Sequence, residues 1–274
     1  MPPIPFSPRE CLDFVELSPL AVAAHDKQAW LDLFATYSLV EDPVGSRPIV
    51  SRPGDSAEHG PLASFYETFI APNDVRFEAQ RDIVCRQYVW RDLDIHINMA
   101  SGAKVVTPVH LLYELVEEGE EAKIFRLAAH WELRNTMSQQ SGGMAALWRM
   151  LRHMGVTGVF GFMRALSSVG EDGKRQVRQF ANLFNTADWS GLDRLFDSHA
   201  PEIQLVASGA SCSPRDLGSV GTELSFSKVL AAGEFVSAGF QLRREGRPQE
   251  GVALFRFNPS SNRISALDLY WQGA

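Results

Sequence analysis

The sequence lacks most features of nucleic-acid-binding, secreted and membrane-embedded proteins. Its net charge is −7, whereas nucleic-acid binding usually needs a basic surface. Its three cysteines, Cys11, Cys85 and Cys212, are odd in number and show no zinc-ligand spacing. No uncharged run approaches the roughly 20 residues that cross a bilayer. We therefore expect free thiols in a reducing compartment, no nucleic-acid partner and no stable membrane insertion.

The length and the first residues limit the architecture and the compartment. The 274 residues, of which 45% are hydrophobic, suffice for one or two domains with apolar cores. The opening Met-Pro-Pro-Ile-Pro lacks the basic and apolar regions of a secretory signal peptide. We expect a cytoplasmic protein.

Helix-like periodicity comes first in the chain, and strand-like segments follow. Ser18 and Pro19 are a typical helix start, apolar residues at helical spacing continue to Phe34, and residues 61–70 predict another helix. Segments rich in β-branched and aromatic residues then predict strands over 75–80, 83–97, 104–117 and 123–133. This order predicts an α+β domain in which a curved, mainly antiparallel sheet wraps over helices as a cone with a pocket at its open end.

The second half of the chain repeats this plan. The segment from Trp189 to Phe196 echoes the one from Trp30 to Phe34, and further strand-like segments follow. A Ser/Gln/Gly-rich stretch that is typical of flexible linkers separates the two copies. The predicted parts are a first domain over 1–137, a linker with an amphipathic helix over 138–172 and a second domain over 173–274.

The run Val40-Glu41-Asp42-Pro43-Val44-Gly45 is the candidate centre of any chemistry. Pro43 biases Asp42 towards extended geometry. A carboxylate set among apolar residues such as Trp30 and Phe34 is partly desolvated, which raises its pKa and makes it a better proton acceptor. Asp-Pro-x-Gly is also ordinary turn chemistry, in which the aspartate bonds its own backbone.

The run from Trp30 to Gly45, followed by Phe65 and Tyr66, resembles the ketosteroid isomerase branch of the NTF2-like (SnoaL-like) superfamily. The resemblance extends over most of residues 18–133. It implies two tandem NTF2-like (cystatin-like) cone-shaped domains, without a metal or a cofactor.

The resemblance also implies roles for individual residues. Asp42 takes the place of the family's catalytic base. His110, two residues after the proline of its strand, takes the place of the oxyanion-hole acid. In ketosteroid isomerase the apolar surroundings raise the pKa of that acid. Ser18 falls where the family has its oxyanion tyrosine, and serine is too short to replace a phenol. Other tyrosines could supply that hydroxyl from elsewhere: Tyr37, Tyr66, Tyr88 and Tyr113.

Two classes of function follow. The first is an enzyme that abstracts a proton next to a carbonyl, with an isomerase, dehydratase or cyclase outcome, and the second is a non-catalytic small-molecule-binding or assembly protein. Asp42 and His110 facing one apolar cavity would favour the enzyme, whereas Asp42 capping a surface turn would favour the binding protein. Epoxide hydrolysis needs an Asp-Arg-Asp set that the matching positions do not supply. We favour the enzyme, acting on a steroid-, terpenoid- or polyketide-like ketone. The predicted ligand-binding residues are Trp30, Phe34, Tyr66, Tyr88 and Trp131.

The second domain is expected to support the first. No acid follows Phe196 at the place that corresponds to Asp42, so we expect no catalytic site there. Strand residues are apolar on both faces, as Leu111 and Leu112 illustrate, and monomers rarely expose large apolar patches. We therefore predict that the two domains pack as an intramolecular pseudo-dimer, with a homodimer of the whole chain as a further possibility.

Overall fold

A computed structural model describes residues 5–56, 58–99, 102, 104–132, 169–198, 201–218, 221–244 and 247–272. The chain divides into two compact units, one in each half, and the second unit also takes in Ile83–Arg86. Each unit contains one six-stranded sheet and a few helices, so the predicted α+β class with two domains is confirmed. The predicted linker helix lies outside the described residues, and the predicted domain boundaries stay predictions.

The first unit is a mixed sheet preceded by short helices. Its elements are α1 Pro8–Ala23, α2 Lys27–Leu31, β1 Phe34–Glu41, β2 Ile49–Ser51, α3 Pro61–Phe65, a π-helical turn Tyr66–Ile70, β3 Asn73–Cys85, β4 Tyr88–Met99, β5 Lys104–Glu118 and β6 Glu121–His130. The strand order is β2-β1-β6-β5-β4-β3. Strand β1 runs parallel to β6, whereas β2 with β1, β6 with β5, and β5 with β4 are antiparallel.

The first helix begins earlier than the sequence predicts. It starts at Pro8, where the Ser7 side chain and Glu10 form a reciprocal capping box. Ser18 and Pro19, the predicted start, lie inside this helix. The prediction was wrong because the first 20 residues carry two Ser-Pro pairs with the same local signal, and only the first of these has a glutamate three residues after its serine.

Two strand boundaries also differ from the prediction. The predicted strand over 83–97 is interrupted by a turn at which Arg86 has a φ of 57°, and this turn separates β3 from β4. No glycine or proline marks the turn. Residues 34–41 form strand β1, whereas the sequence predicts a helical segment that ends at Phe34 and leads into the run around Asp42. Asp42 therefore follows a strand rather than a helix.

The first sheet has two distinct faces. Arg91 and Tyr113 contact α1, through an ion pair with Glu16 and a hydrogen bond with Ser18 respectively. Their face is the helix-covered face, and the register adds Leu111 to it. The opposite face carries the residues that alternate with these along the strands. Its buried members include Trp90, Asp92, His110, Leu112 and His130.

The second unit repeats the topology of the first. Its elements are α4 Gly170–Asn185, α5 Trp189–Asp193, β7 Ile203–Leu205, β8 Ala210–Cys212, α6 Pro214–Leu217, β9 Glu223–Ala232, β10 Phe235–Arg244, β11 Arg247–Phe257 and β12 Ile264–Trp271. The strand order β8-β7-β12-β11-β10-β9 is that of the first sheet, including one parallel pair, β7 with β12. The core is phenylalanine-rich, and Phe180 packs edge-on against Phe196 and Phe255.

A shared turn shows that the repeat extends to local detail. Asp26 caps α2 by accepting from the Ala29 amide, and Asp188 caps α5 by accepting from the Gly191 amide. The residue before each cap has a positive φ, 52° in the first unit and 54° in the second. Equivalent chain reversals therefore begin the short helix in both units.

Candidate functional site

The Asp42 carboxyl lies directly after β1, at the edge where β1 pairs with β6. The backbone returns to β6 through a hydrogen bond from the Val44 amide to the Ala129 carbonyl, 2.9 Å long. The indole Nε1–H of Trp131 donates to Asp42 Oδ1 at 2.6 Å. The Asp42 carboxyl thus accepts a hydrogen bond from Trp131, just after the distant strand β6. In an ordinary Asp-Pro-x-Gly turn, the carboxyl would instead bond the backbone of its own turn.

Burial raises the pKa of Asp42, and the hydrogen bond from Trp131 opposes that rise in part. The residue as a whole keeps some contact with solvent, while protein surrounds its carboxyl densely. Burial disfavours the anion because a carboxylate loses hydration there. A carboxylate with a raised pKa that still has access to solvent is suited to accept a proton near neutral pH.

An aromatic cluster lies among the short helices of the first unit. The Trp30 ring centroid is 4.6 Å from that of Phe34, 6.1 Å from that of Phe65 and 5.6 Å from that of Tyr66. Trp30 therefore contacts two other predicted ligand-binding residues, Phe34 and Tyr66. The Tyr66 hydroxyl is buried and has no hydrogen-bond partner among the described residues, and burial raises its pKa. A buried phenol of this kind can bond a polar group of a ligand.

His110 belongs to a row of buried polar side chains on the opposite face of the sheet. The register aligns it with Asp92 on β4 and with His130 on β6. His110 Nε2 lies 4.0 Å from Asp92 Oδ1. Burial, followed by the charges of Arg126 and His110, holds the pKa of His130 well below its usual range, so His130 is neutral at pH 7.

The register separates His110 from the neighbourhood of Asp42. Trp131 follows His130 at the end of β6, and alternation directs it to the helix-covered face with Ala129. Asp42 bonds Trp131 and so joins that face. The predicted partnership of Asp42 with His110 thus lacks a common sheet face, and a role for His110 stays a prediction.

The two remaining predicted ligand-binding residues lie apart. Trp131 contacts Asp42 directly and is partly buried. Tyr88 pairs in register with Glu114 on β5, and its hydroxyl bonds the Glu114 carboxyl. Tyr88 therefore lies on the opposite face with His110, away from the aromatic cluster.

Sequence reasoning missed a buried ionic and phenolic network on the helix-covered face. Arg91, whose side chain is 4% exposed, pairs with Asp82 at 2.9 Å and with Glu16 of α1. Tyr113 is 1% exposed and shares a hydrogen bond with Ser18. The sequence does not reveal these pairs, because two of them join α1 to the distant strands β4 and β5, and the pair of Arg91 with Asp82 depends on an unpredicted turn between β3 and β4.

The second unit contains a small apolar pocket inside its sheet. The pocket has about 240 Å³ of empty space, part of it open to solvent. Eight apolar side chains line it, including Phe180, Leu217, Phe226, Phe240 and Leu269. This lining offers no group for proton transfer.

The described residues contain no group of three His, Cys, Asp or Glu side chains arranged to hold a metal ion. Within the same part of the chain, no helix combines the length and the apolar character that a bilayer crossing requires.

No protein-family model matches the chain, and a search of curated proteins returns no relative. Solved structures do match. One is the Δ5-3-ketosteroid isomerase from Mycobacterium sp., at 24% identity and a TM-score of 0.38, covering 46% of this chain and 95% of that one. Another is Rv0760c from Mycobacterium tuberculosis in complex with estradiol-17β-hemisuccinate, at 22% identity and a TM-score of 0.39 with the same coverages. A third is an M. tuberculosis LEH-like epoxide hydrolase, at 15% identity and a TM-score of 0.40, covering 51% of this chain and 95% of that one.

The likeness is one of fold. The matched structures are ketosteroid isomerase-like and epoxide hydrolase-like proteins, and each covers about half of this chain.

Proposed function

We propose that the first unit is a small-molecule enzyme in which Asp42 removes a proton from the carbon next to a carbonyl. The observation that carries the proposal is the state of this carboxyl. It is surrounded by protein, its pKa is raised by burial, and its recorded hydrogen bond comes from the indole of Trp131. A structural turn carboxylate would bond the backbone of its own turn instead.

The aromatic cluster provides the apolar part of the proposed binding site. Trp30, Phe34 and Tyr66 pack together, and the Tyr66 phenol is buried with an unused hydrogen-bonding capacity. Pockets for small molecules are mostly apolar and contain a few polar groups that orient the ligand. A steroid- or terpenoid-like ketone combines these two characters, so we propose that ligand class.

Deuterium exchange tests this function directly. Progesterone and carvone, incubated with the protein in D₂O, are expected to gain deuterium next to their carbonyl groups, as measured by mass spectrometry. Asp42→Asn keeps the shape of the side chain and can still accept from Trp131, but it cannot take up the proton. We expect exchange to fall by about 10²- to 10⁴-fold, the usual contribution of a general base.

Asp55→Asn is the matched control. Asp55 is an exposed carboxylate that accepts from the Arg52 amide within its own turn, 2.8 Å away. This variant should exchange like the parent. Absence of exchange in the parent with both ketones, or equal exchange in Asp42→Asn, would refute the enzymatic function.

The second candidate is a binding protein that keeps the aromatic cluster and has no chemistry. The hydroxyl of Tyr66, which is buried and has no partner in the part of the chain that the structure describes, suits such a protein equally well. In that case the ketones would bind without exchange, and calorimetry would detect a binding affinity that Asp42→Asn leaves unchanged.

We further propose that the protein is cytoplasmic and that its units associate as a pseudo-dimer. Sedimentation and cross-linking of the full chain test that association against a homodimer.

A further inference from the structure

Ser18 and Tyr113 form a buried hydrogen bond between α1 and β5. Ser18 is 3% exposed and Tyr113 is 1% exposed. The hydroxyl of Ser18 bonds the phenol oxygen of Tyr113. The resemblance places a phenol at position 18 of the helix, where this chain has a short serine. The phenol of Tyr113 reaches the same helix position from the strand.

Tyr113 and Asp42 project from the same face of the sheet. Tyr113 pairs in register with Leu127 of β6, and Leu127 pairs with Val40 of β1. Asp42 is two residues beyond Val40, and side chains two apart share a face. The bond from Trp131 independently assigns Asp42 to the helix-covered face. Both polar groups therefore belong to the face on which we place the ligand.

The surroundings of Tyr113 favour a strong hydrogen-bond donor. Burial raises the pKa of Tyr113 and keeps its phenol protonated, and the charges of Glu16 and Asp82 act in the same direction, while the Ser18 bond and the Arg91 charge act in the opposite direction. Arg91 is itself fixed by carboxylates on α1 and β3. Groups that stabilise partial negative charge on the phenol oxygen polarise its O–H bond, and a preorganised donor in a dry site stabilises developing charge strongly.

We propose that Tyr113 donates a hydrogen bond to the enolate oxygen that forms when Asp42 removes the proton, and that Ser18 is the positioning residue that orients the phenol. This inference rests on the proposed function. In the step, the C–H electron pair becomes the carbon–carbon π bond, the carbonyl π pair moves onto oxygen, and the proton moves to the Asp42 carboxylate. Asp42 then returns the proton to the same carbon or, where a carbon–carbon double bond is conjugated with the enolate, to the far end of the dienolate, so no oxidant or further reactant is needed.

A phenolate tests the donor without catalysis. The anion of 4-nitrophenol has a negatively charged oxygen attached to a conjugated ring, which resembles the oxygen of a dienolate. The visible absorbance of nitrophenol reports its ionisation. The host is Asp42→Asn, in which the Asp42 carboxylate no longer repels the anion. Adding Tyr113→Phe should weaken nitrophenolate binding by about 10- to 100-fold, since a hydrogen bond to a charged group contributes roughly 1.5–3 kcal/mol. The absorbance of bound nitrophenol should then shift towards the protonated form at a given pH.

Exchange into progesterone tests the same residue during turnover. Tyr113→Phe in the otherwise unchanged protein should lower exchange by about 10²- to 10³-fold, the usual cost of removing one oxyanion donor. Ser18→Ala should lower exchange by a smaller factor. Because Ser18 acts through the phenol, Ser18→Ala should have no additional effect in Tyr113→Phe, whereas a merely structural serine would add its own loss.

Tyr37→Phe is the control, because it removes a tyrosine hydroxyl from a residue that is 45% exposed. It should leave affinity and exchange unchanged. Unchanged nitrophenolate affinity in a folded Tyr113→Phe variant, or full exchange in that variant, would overturn the donor role even if Asp42 proves essential. Absent exchange in the parent would refute the base, and the nitrophenolate arm would still decide whether Tyr113 donates to an anion.

Discussion

Replacing Trp131 by phenylalanine isolates the one hydrogen bond that the structure records for the Asp42 carboxyl. The indole Nε1 donates to Asp42 Oδ1 at 2.6 Å, and this bond opposes the rise in pKa that burial causes. Phenylalanine keeps an aromatic ring at the position but has no N–H. The Asp42 anion in Trp131→Phe therefore loses a donor while the carboxyl stays surrounded by protein, so we expect its pKa to rise further.

The size of the effect follows from the strength of the bond. A hydrogen bond to a charged group contributes roughly 1.5–3 kcal/mol, and 1.36 kcal/mol is a factor of ten in an equilibrium constant, so the ionisation equilibrium should shift about 10- to 100-fold towards the protonated acid. In exchange measurements, the pH at which the base becomes active should move upwards. A weaker bond or water entry into the space left by the indole would reduce this shift.

Carboxyl-carbon NMR gives a direct measurement. The aspartate carboxyl carbons are labelled with ¹³C, and the Asp42 signal is assigned by its absence from Asp42→Asn. Its titration midpoint should lie higher in Trp131→Phe than in the parent, whereas Trp189→Phe, in the second unit, should leave it in place. A midpoint in Trp131→Phe that stays constant or falls would refute the reasoning.

Three further predictions concern stability, measured by urea unfolding. Because burial raises the folded-state pKa of Asp42, the parent loses stability as the pH rises from the unfolded-state value through the folded one, and Asp42→Asn should not; a pH-independent difference between the two would contradict this. Because the pKa of His130 is lowered, the parent should lose stability as the pH falls below about 6.5, where the unfolded imidazole becomes charged. His130→Gln should weaken that acid sensitivity, and the exposed control His59→Gln should retain it. Arg91→Met should cost about 3 kcal/mol because a buried ion pair loses its cation. Arg76→Met, in an exposed pair, should change stability by less than about 0.5 kcal/mol, and equal costs would refute the contrast.

The class of the fold was predictable because its signals are local. Helical spacing, strand-rich segments and the two Trp-to-Phe echoes each occupy a short window of sequence. The shared turn at Asp26 and Asp188 gives the end of the echo a physical cause, since Phe34 and Phe196 each lie eight residues after their cap, whereas the two tryptophans lie at different distances from it. The prediction of where α1 begins was wrong for an equally local reason. Two Ser-Pro pairs near the N-terminus each predict a helix start, and only the capping box at the first one distinguishes them.

The geometry of the candidate site could not be predicted, because it depends on register. His110 and Leu111 are neighbours in the chain, yet the parity of β5 directs them to opposite faces of the sheet. Without the strand pairing, either residue could be assigned to the face of Asp42. Asp42 and Trp131 were both predicted as site residues from the sequence. The hydrogen bond between them could not be predicted.

The parallel pairing of β1 with β6 governs when the site can exist. Asp42 and Trp131 are 89 residues apart, and their contact depends on the pairing of the first long strand of the sheet with its last. Such distant pairings pay their loop-closure entropy before they gain contacts, and they form slowly. During synthesis on the ribosome, an emerging chain therefore cannot bind ligand at Asp42 until β6 and Trp131 have left the exit tunnel. A ligand that binds only after β1 and β6 have paired would stabilise the whole unit, because its binding free energy adds to the free energy of unfolding.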